Sequence, residues 1–174
     1  MSAPIITCEK LRAILDYSPD TGVFRWKHRP DYSKAWNTRY AGKVAGYEWQ
    51  VGKNTYRSIR IYDWPFLAHR LAWLYMTGNW PAHGVDHRDL DGLNNRWSNL
   101  RAATKSQNGL NTKAKKNNKT GFKGVSQDRN GRCRATIQVD RRWREIGRFG
   151  SVQEAHDAYK MAVRELAGEF GRTE

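Results

Sequence analysis

Residues 85–108 read VDHRDLDGLNNRWSNLRAATKSQN, and the reading of this stretch decides what kind of fold surrounds it. Asp, Asn and Gly tolerate tight backbone geometry and cap helices, so an ordinary turn would use the same residue types. The alternative is a site in which a carboxylate, an imidazole and amides gather around a cation. Thr104 and Gln107 fit a capping box, which starts a short helix and puts Asn108 on it. The rest of the chain has to separate the two readings.

The chain has 174 residues, enough for one ordinary domain or two small ones. Its 8 Trp and 8 Tyr supply large buried areas, so a globular protein is expected. Net charge is +14, and it is concentrated: residues 1–100 carry +5, residues 101–145 carry +10 and residues 146–174 carry −1. A concentrated positive field favours a polyanion, with nucleic acid the first candidate. A membrane surface is disfavoured, since no basic helix has a wide apolar face and no run of 18 apolar residues exists. Cys8 and Cys133 are too few for a disulfide framework or a zinc ribbon. The N-terminal segment has no long apolar core or cleavage pattern, so no secretion signal is expected and a cytoplasmic protein is.

Leu11, Ile14 and Leu15 recur at helical spacing after Thr7, predicting a helix over 7–17. The turn SPDTG follows, with VFRWKH as a strand leaving it and a strand pair around KVAGYEW and YRSIRIY. FLAHRLAWLYMTG reads as a buried helix, with Leu67, Leu71, Leu74 and Tyr75 on one side and Gly78 as its C-cap. Residues 113–120 hold four Lys and read as a basic linker. Beyond it, Cys133, Ala135, Ile137 and Val139 alternate with Arg132, Arg134, Thr136 and Gln138, giving one core face and one cationic face. Trp143 lies in the next strand, and Ser151 with Glu154 opens a helix whose Ala155, Ala158, Tyr159, Ala162, Val163 and Leu166 form a stripe.

The segment TGFKGVSQDRNGRCRATIQV followed by WREIGRFGSVQEAHDAYKMAV resembles the AP2 DNA-binding domain over about residues 120–168. That resemblance implies a small sheet lying in the DNA major groove, braced by one helix. It places Lys123, Arg134, Thr136, Gln138 and Trp143 towards DNA, with Arg129, Arg132 and Arg141 beside phosphates. Ser126, Asp128 and Cys133 depart from the residues common in the family, so no relative's sequence preference carries over.

The opening stretch, with LAHRLAWLYMTGNWP before it, resembles the HNH nuclease motif, and the region 7–112 is similar to phage HNH homing-type endonucleases. The resemblance implies a ββα-metal unit: a strand ending at Asp86–His87, a loop, a second strand starting near Asn99–Leu100, and a helix bearing the last ligand. It assigns His87 as general base, Asn99 as the residue holding the loop, and Asp86 with Asn108 as metal ligands. Asn108 stands where many members have His, giving an H-N-N variant. The chemistry suits the residue types, because a neutral imidazole can take a proton from water at pH 7. Two oxygen ligands favour Mg²⁺ or Mn²⁺ over zinc.

Each residue alone has a blander reading: Asp86 a turn residue, Asn99 a loop staple, His87 a surface histidine, Asn108 a solvated helix position. Their joint order outweighs these. His69 is expected in the core or behind the site, and His28, His83 and His156 are read as structural or solvated.

The expected fold is α+β: an N-terminal β-rich region leading into a ββα-metal unit over 1–112, then a linker at 113–120. A three-stranded antiparallel sheet packed on one helix follows over 121–174. The expected function is metal-dependent cleavage of double-stranded DNA by a site-specific nicking homing endonuclease of a bacterial or phage-infected cell. No obligatory protein partner is implied, and a monomer or weak dimer is expected. The rivals are a DNA-binding regulator with a vestigial nuclease site, and a nonspecific or structure-specific nuclease.

Overall fold

A computed structural model describes residues 6–114, 117–140 and 142–173. By its contacts the chain divides into two compact units, Met1–Ala102 and Ala103–Glu174. The division falls ahead of the basic segment 113–120 that the charge pattern marks as a linker.

In the first unit, α1 (Cys8–Ile14) starts at Thr7, whose hydroxyl accepts from the Lys10 amide. It ends sooner than helical spacing suggests, because Leu15 belongs to β1 (Leu15–Ser18), paired antiparallel with β2 (Val23–Trp26). The reason is a change of period: Leu15 and Tyr17 are buried while Asp16 and Ser18 are exposed, the alternation of a strand. A further helix, α2 (Lys34–Tyr40), is capped by Ser33 and has no counterpart in the sequence reading. The strands β3 (Tyr47–Val51), β4 (Asn54–Ile61) and β5 (Trp64–Leu67) form an antiparallel sheet in that order. β5 takes Leu67 out of the expected helix, and α3 (Ala68–Thr77) begins one residue later. Gly78 ends α3 at φ 79°, the left-handed geometry that favours glycine.

Leu71 and Leu74 from α3 meet Leu11, Phe24, Ile59 and Ile61 in the core, each at most 2% exposed. Burying one such side chain contributes roughly 1.5–3 kcal/mol. Against this core lie β6 (Gly84–His87) and β7 (Leu100–Ala103), a two-stranded sheet with a 3₁₀ turn, Trp97–Asn99, leading into β7.

The second unit holds α4 (Lys105–Leu110), begun by the Thr104–Gln107 capping box with both reciprocal hydrogen bonds formed. Its sheet runs in the order β10-β9-β8, from β8 (Val125–Gln127), β9 (Cys133–Val139) and β10 (Arg142–Phe149), all antiparallel. A register shift interrupts β10 between Glu145 and Gly147. The helix α5 (Val152–Ala167) covers one face, packing Ala155, Tyr159 and Val163 onto Cys133, Ala135 and Ile137. Ser151 caps it by accepting from the Glu154 amide, while the Glu154 carboxylate accepts from Gly150 rather than from the cap residue itself. Leu166, expected on the buried stripe, is 41% exposed. Among the described residues no helix is long and apolar enough to cross a membrane.

Candidate functional site

β6 is short and buried, and it delivers two charged or titratable side chains, Asp86 and His87, to the interior of the first unit. Successive strand residues point to opposite sides, so the two serve different surroundings. Asp86 meets Arg101 of the neighbouring β7: Nε and Nη2 both donate to Oδ2, at 2.9 and 2.8 Å. Both partners are nearly inaccessible, with side-chain exposures of 6% for Arg101 and 3% for Asp86. Removing either would strand a buried charge. Sequence reading does not single out Arg101, which looks like one more basic residue beside NL.

The His87 ring is enclosed by Tyr56 and His69, and the His69 ring stands edge-on to it at 4.9 Å between centroids. His87 Nε2 lies 3.2 Å from the Asn95 amide oxygen. The Asn95 amide nitrogen donates to the Leu93 carbonyl at 3.1 Å, so the oxygen end of Asn95 faces the ring. Nε2 must then carry the proton, and Nδ1 is the basic nitrogen. Burial holds the His87 pKa below its ordinary value; the Asn95 hydrogen bond and the charges of Asp89, Asp86 and Asp91 pull it back only in part. The ring is therefore neutral at pH 7, as a proton acceptor must be. His69 is pushed down further, to about 3, by burial first and then by His87 and Arg70.

The connecting loop is fixed by amides and carboxylates. Asn99 accepts from the Asp89 amide and donates from Nδ2 to the Asp89 carboxylate and the Asn94 carbonyl, at 3.1, 2.9 and 2.8 Å. Asp89 also accepts from Asp91 and Asn94, and Asp91 accepts from Leu93. Burial raises the Asp89 pKa, but these hydrogen bonds outweigh it and leave the group below the ordinary carboxylate value. Two glycines allow close backbone approach: a Cβ at Gly22 would lie 2.3 Å from the Asn95 carbonyl carbon, and one at Gly92 would lie 2.3 Å from the Thr55 oxygen. Gly22 also has φ 73°, so a side chain there is strained twice over. The Tyr17 hydroxyl completes the clamp by donating to the Asn95 carbonyl at 2.7 Å.

Asn108 stands on α4 in the second unit, with its side chain exposed, while Leu110 on the same helix is buried. Its side-chain amide oxygen is a hard oxygen donor. Among the described residues no group of three or more His, Cys, Asp or Glu could hold a metal ion.

The outer face of the second unit's sheet carries Arg134, Gln138 and the half-buried Thr136 from β9. Register adds Trp143 opposite Gln138, Glu145 opposite Thr136 and Arg148 opposite Arg134. Trp143 is 67% exposed, a large apolar ring left in solvent. Glu145 pairs with Arg148 at 3.0 Å and with Arg134 at 4.0 Å, so one carboxylate sits among the cations. Sequence reading misses both Glu145 and Arg148, although their register would have shown them. Arg129 and Arg132 are exposed at the β8–β9 turn. Arg141 lies outside the described residues. Lys123 lines the same hollow as Thr136, Gln138 and Trp143, and its ammonium donates to the Leu110 and Thr112 carbonyls. Burial and the nearby Arg172 push its pKa down to about 8.

With this geometry in place, comparisons with known proteins give a consistent class. Residues 66–110 match the family model described as HNH endonuclease. The chain is also 34% identical over 130 residues to an uncharacterised HNH endonuclease of Acanthamoeba polyphaga mimivirus. That match covers 73% of this chain and 66% of the viral protein. No solved structure matches the chain.

Proposed function

We propose that the protein is a metal-dependent endonuclease that nicks double-stranded DNA at a chosen site, as a free-standing homing enzyme with an AP2-like recognition module. The observation that carries this reading is His87, held neutral by burial and fixed in one tautomer by Asn95, next to the carboxylate Asp86 on one short strand.

In this reading His87 Nδ1 takes the proton of the attacking water. Asn95 stabilises the imidazolium that forms, because its oxygen accepts from Nε2–H. Asn99 is a positioning residue, stapling the loop that carries Asn95 through Asp89 and Asn94. Arg101 keeps Asp86 oriented at the end of β6. Asp86 and Asn108 would hold a divalent cation, Mg²⁺ or Mn²⁺, which when bound supplies positive charge against the phosphate and the departing 3′ oxygen. One such site cuts one strand, so a monomer would nick, and a double-strand break would need a dimer or two visits.

For recognition, the face formed by Arg134, Thr136, Gln138 and Trp143 would read DNA, with Arg129, Arg132 and Arg141 beside phosphates. Lys123 lies in the same hollow as Thr136, Gln138 and Trp143 and would join this face. Arg57 and Arg60 on β4 would add a second contact, raising the effective concentration of each contact for the other.

The test is cleavage of supercoiled plasmid carrying DNA from the gene's neighbourhood. Conversion to open circle in Mg²⁺ or Mn²⁺, absent in EDTA and in His87→Ala, is the expected result. DNA binding without a nick in either metal would favour a regulator with a vestigial site.

A further inference from the structure

Between Glu145 and Gly147, β10 carries one residue more than its partner β9. The extra residue changes which side chains share a face. Without it, strict alternation would put Glu145 and Arg148 on opposite sides of the sheet. With it, Glu145 stands opposite Thr136 and Arg148 opposite Arg134, both on the outer face, while Ile146 and Phe149 pack against the core. The Glu145 carboxylate then lies between two guanidinium groups. Its Oε1 accepts from Arg148 Nε at 3.0 Å, and its Oε2 is 4.0 Å from Arg134 Nη1.

Neither stability nor charge accounts for this carboxylate. The three side chains are 42% to 67% exposed, and ion pairs so exposed contribute little to folding. On a face that is to meet a polyanion, a negative group weakens every non-specific phosphate contact. What a carboxylate offers is acceptors and no donor. In the major groove cytosine presents an amine donor, adenine a donor beside an acceptor, and guanine and thymine acceptors only. A carboxylate therefore favours cytosine and opposes guanine and thymine. The bond to Arg148 engages Nε, which leaves the terminal nitrogens for the paired acceptors of a guanine.

We propose that Glu145 is a specificity-determining residue: its carboxylate accepts from the N4 amine of a cytosine in the DNA site, and it fixes Arg148 to read a neighbouring guanine. This rests on the reading of the outer sheet face as the DNA-recognition surface. It does not depend on the cleavage chemistry.

The test is selection of bound duplexes from a randomised pool by the full chain, in EDTA so that nothing is cut, for the unaltered protein and for Glu145→Gln. The unaltered protein should select sites with a fixed cytosine beside a guanine. Glu145→Gln, whose amide both donates and accepts, should move that one position from cytosine towards adenine. Its affinity for the original site should fall by roughly 5–150-fold, the span of one mismatched base pair, with the rest of the site unchanged. Asp157→Asn removes an exposed carboxylate from α5, on the other face of the sheet, and should leave the selected sequence as it is.

Tighter binding of all duplexes by Glu145→Gln, with the selected sequence unchanged, would make Glu145 a repulsive charge and overturn the proposal. A selected site without a fixed cytosine would overturn it as well. An unaltered protein that enriches no sequence would refute the recognition reading itself, and the role of Glu145 with it.

Discussion

His69 offers a measurable test of how the first unit is built, because its protonation and its burial oppose each other. The ring is 6% exposed, its Nδ1 has no hydrogen-bond partner, and its pKa lies near 3 against an ordinary value of 6.5. The unfolded chain therefore binds a proton at His69 below pH 6.5, while the folded chain does not until about pH 3. Since fewer protons are bound in the native state across this window, stability is fully present above pH 6.5 and falls as pH drops. The slope approaches about 1.4 kcal/mol per pH unit, so His69 alone removes roughly 2 kcal/mol between pH 7 and pH 5. For a unit of about 100 residues this is on the order of 8–16 °C in Tm. His69→Phe keeps a ring in the slot and cannot titrate. Thermal or urea unfolding of both proteins at pH 7, 6 and 5 should give a flatter acid limb for the variant. Parallel limbs would mean that His69 is hydrated or paired in solution, and the reasoning from burial would fail.

Arg101→Met should destabilise the first unit by about 3–5 kcal/mol in denaturant unfolding, because the Asp86 carboxylate keeps its burial and loses its cation. Adding Asp86→Asn should recover part of that loss, and no recovery would show that the pair is not the cause. Asn95→Ala should lower the nicking rate by about tenfold or more with DNA affinity unchanged, through a base no longer held in one tautomer. A rate equal to wild type would remove Asn95 from the site. Arg132→Ala should weaken DNA binding and reduce the salt slope by about 0.9, the loss of a single phosphate contact. Trp143→Ala should leave Tm unchanged, since the ring is 67% exposed, and lower DNA affinity in a gel-shift assay.

What the sequence determines here is local. The Thr7 and Thr104 caps, the Gly78 stop and the alternation along Cys133–Val139 each depend on residues a few positions apart, and each appears in the structure where the sequence puts it. The strand ending at Asp86–His87 and the strand beginning beside Asn99 stand where the resemblance to the HNH motif implies them, which local pattern did not supply. What fails at this level fails where two periods compete, as at Leu15, which satisfies a helical stripe and a strand alternation alike until burial of Tyr17 selects the strand.

The site's working contacts were settled by the tertiary structure alone. Asp86 meets Arg101 because β6 pairs with β7, and His87 meets His69 and Tyr56 because α3 and β4 pack behind it. Asn94 and Asn95 are chemically identical neighbours, yet one holds the Asp89 carboxylate at the surface and the other turns in to the His87 ring. Lys123, which the AP2 resemblance turns towards DNA, also donates to the Leu110 carbonyl once the fold brings α4 within its reach. Pattern within a segment reports which face of an element is apolar. It does not report which polar groups meet across elements, since that follows from the path the loops take once the apolar faces are buried together.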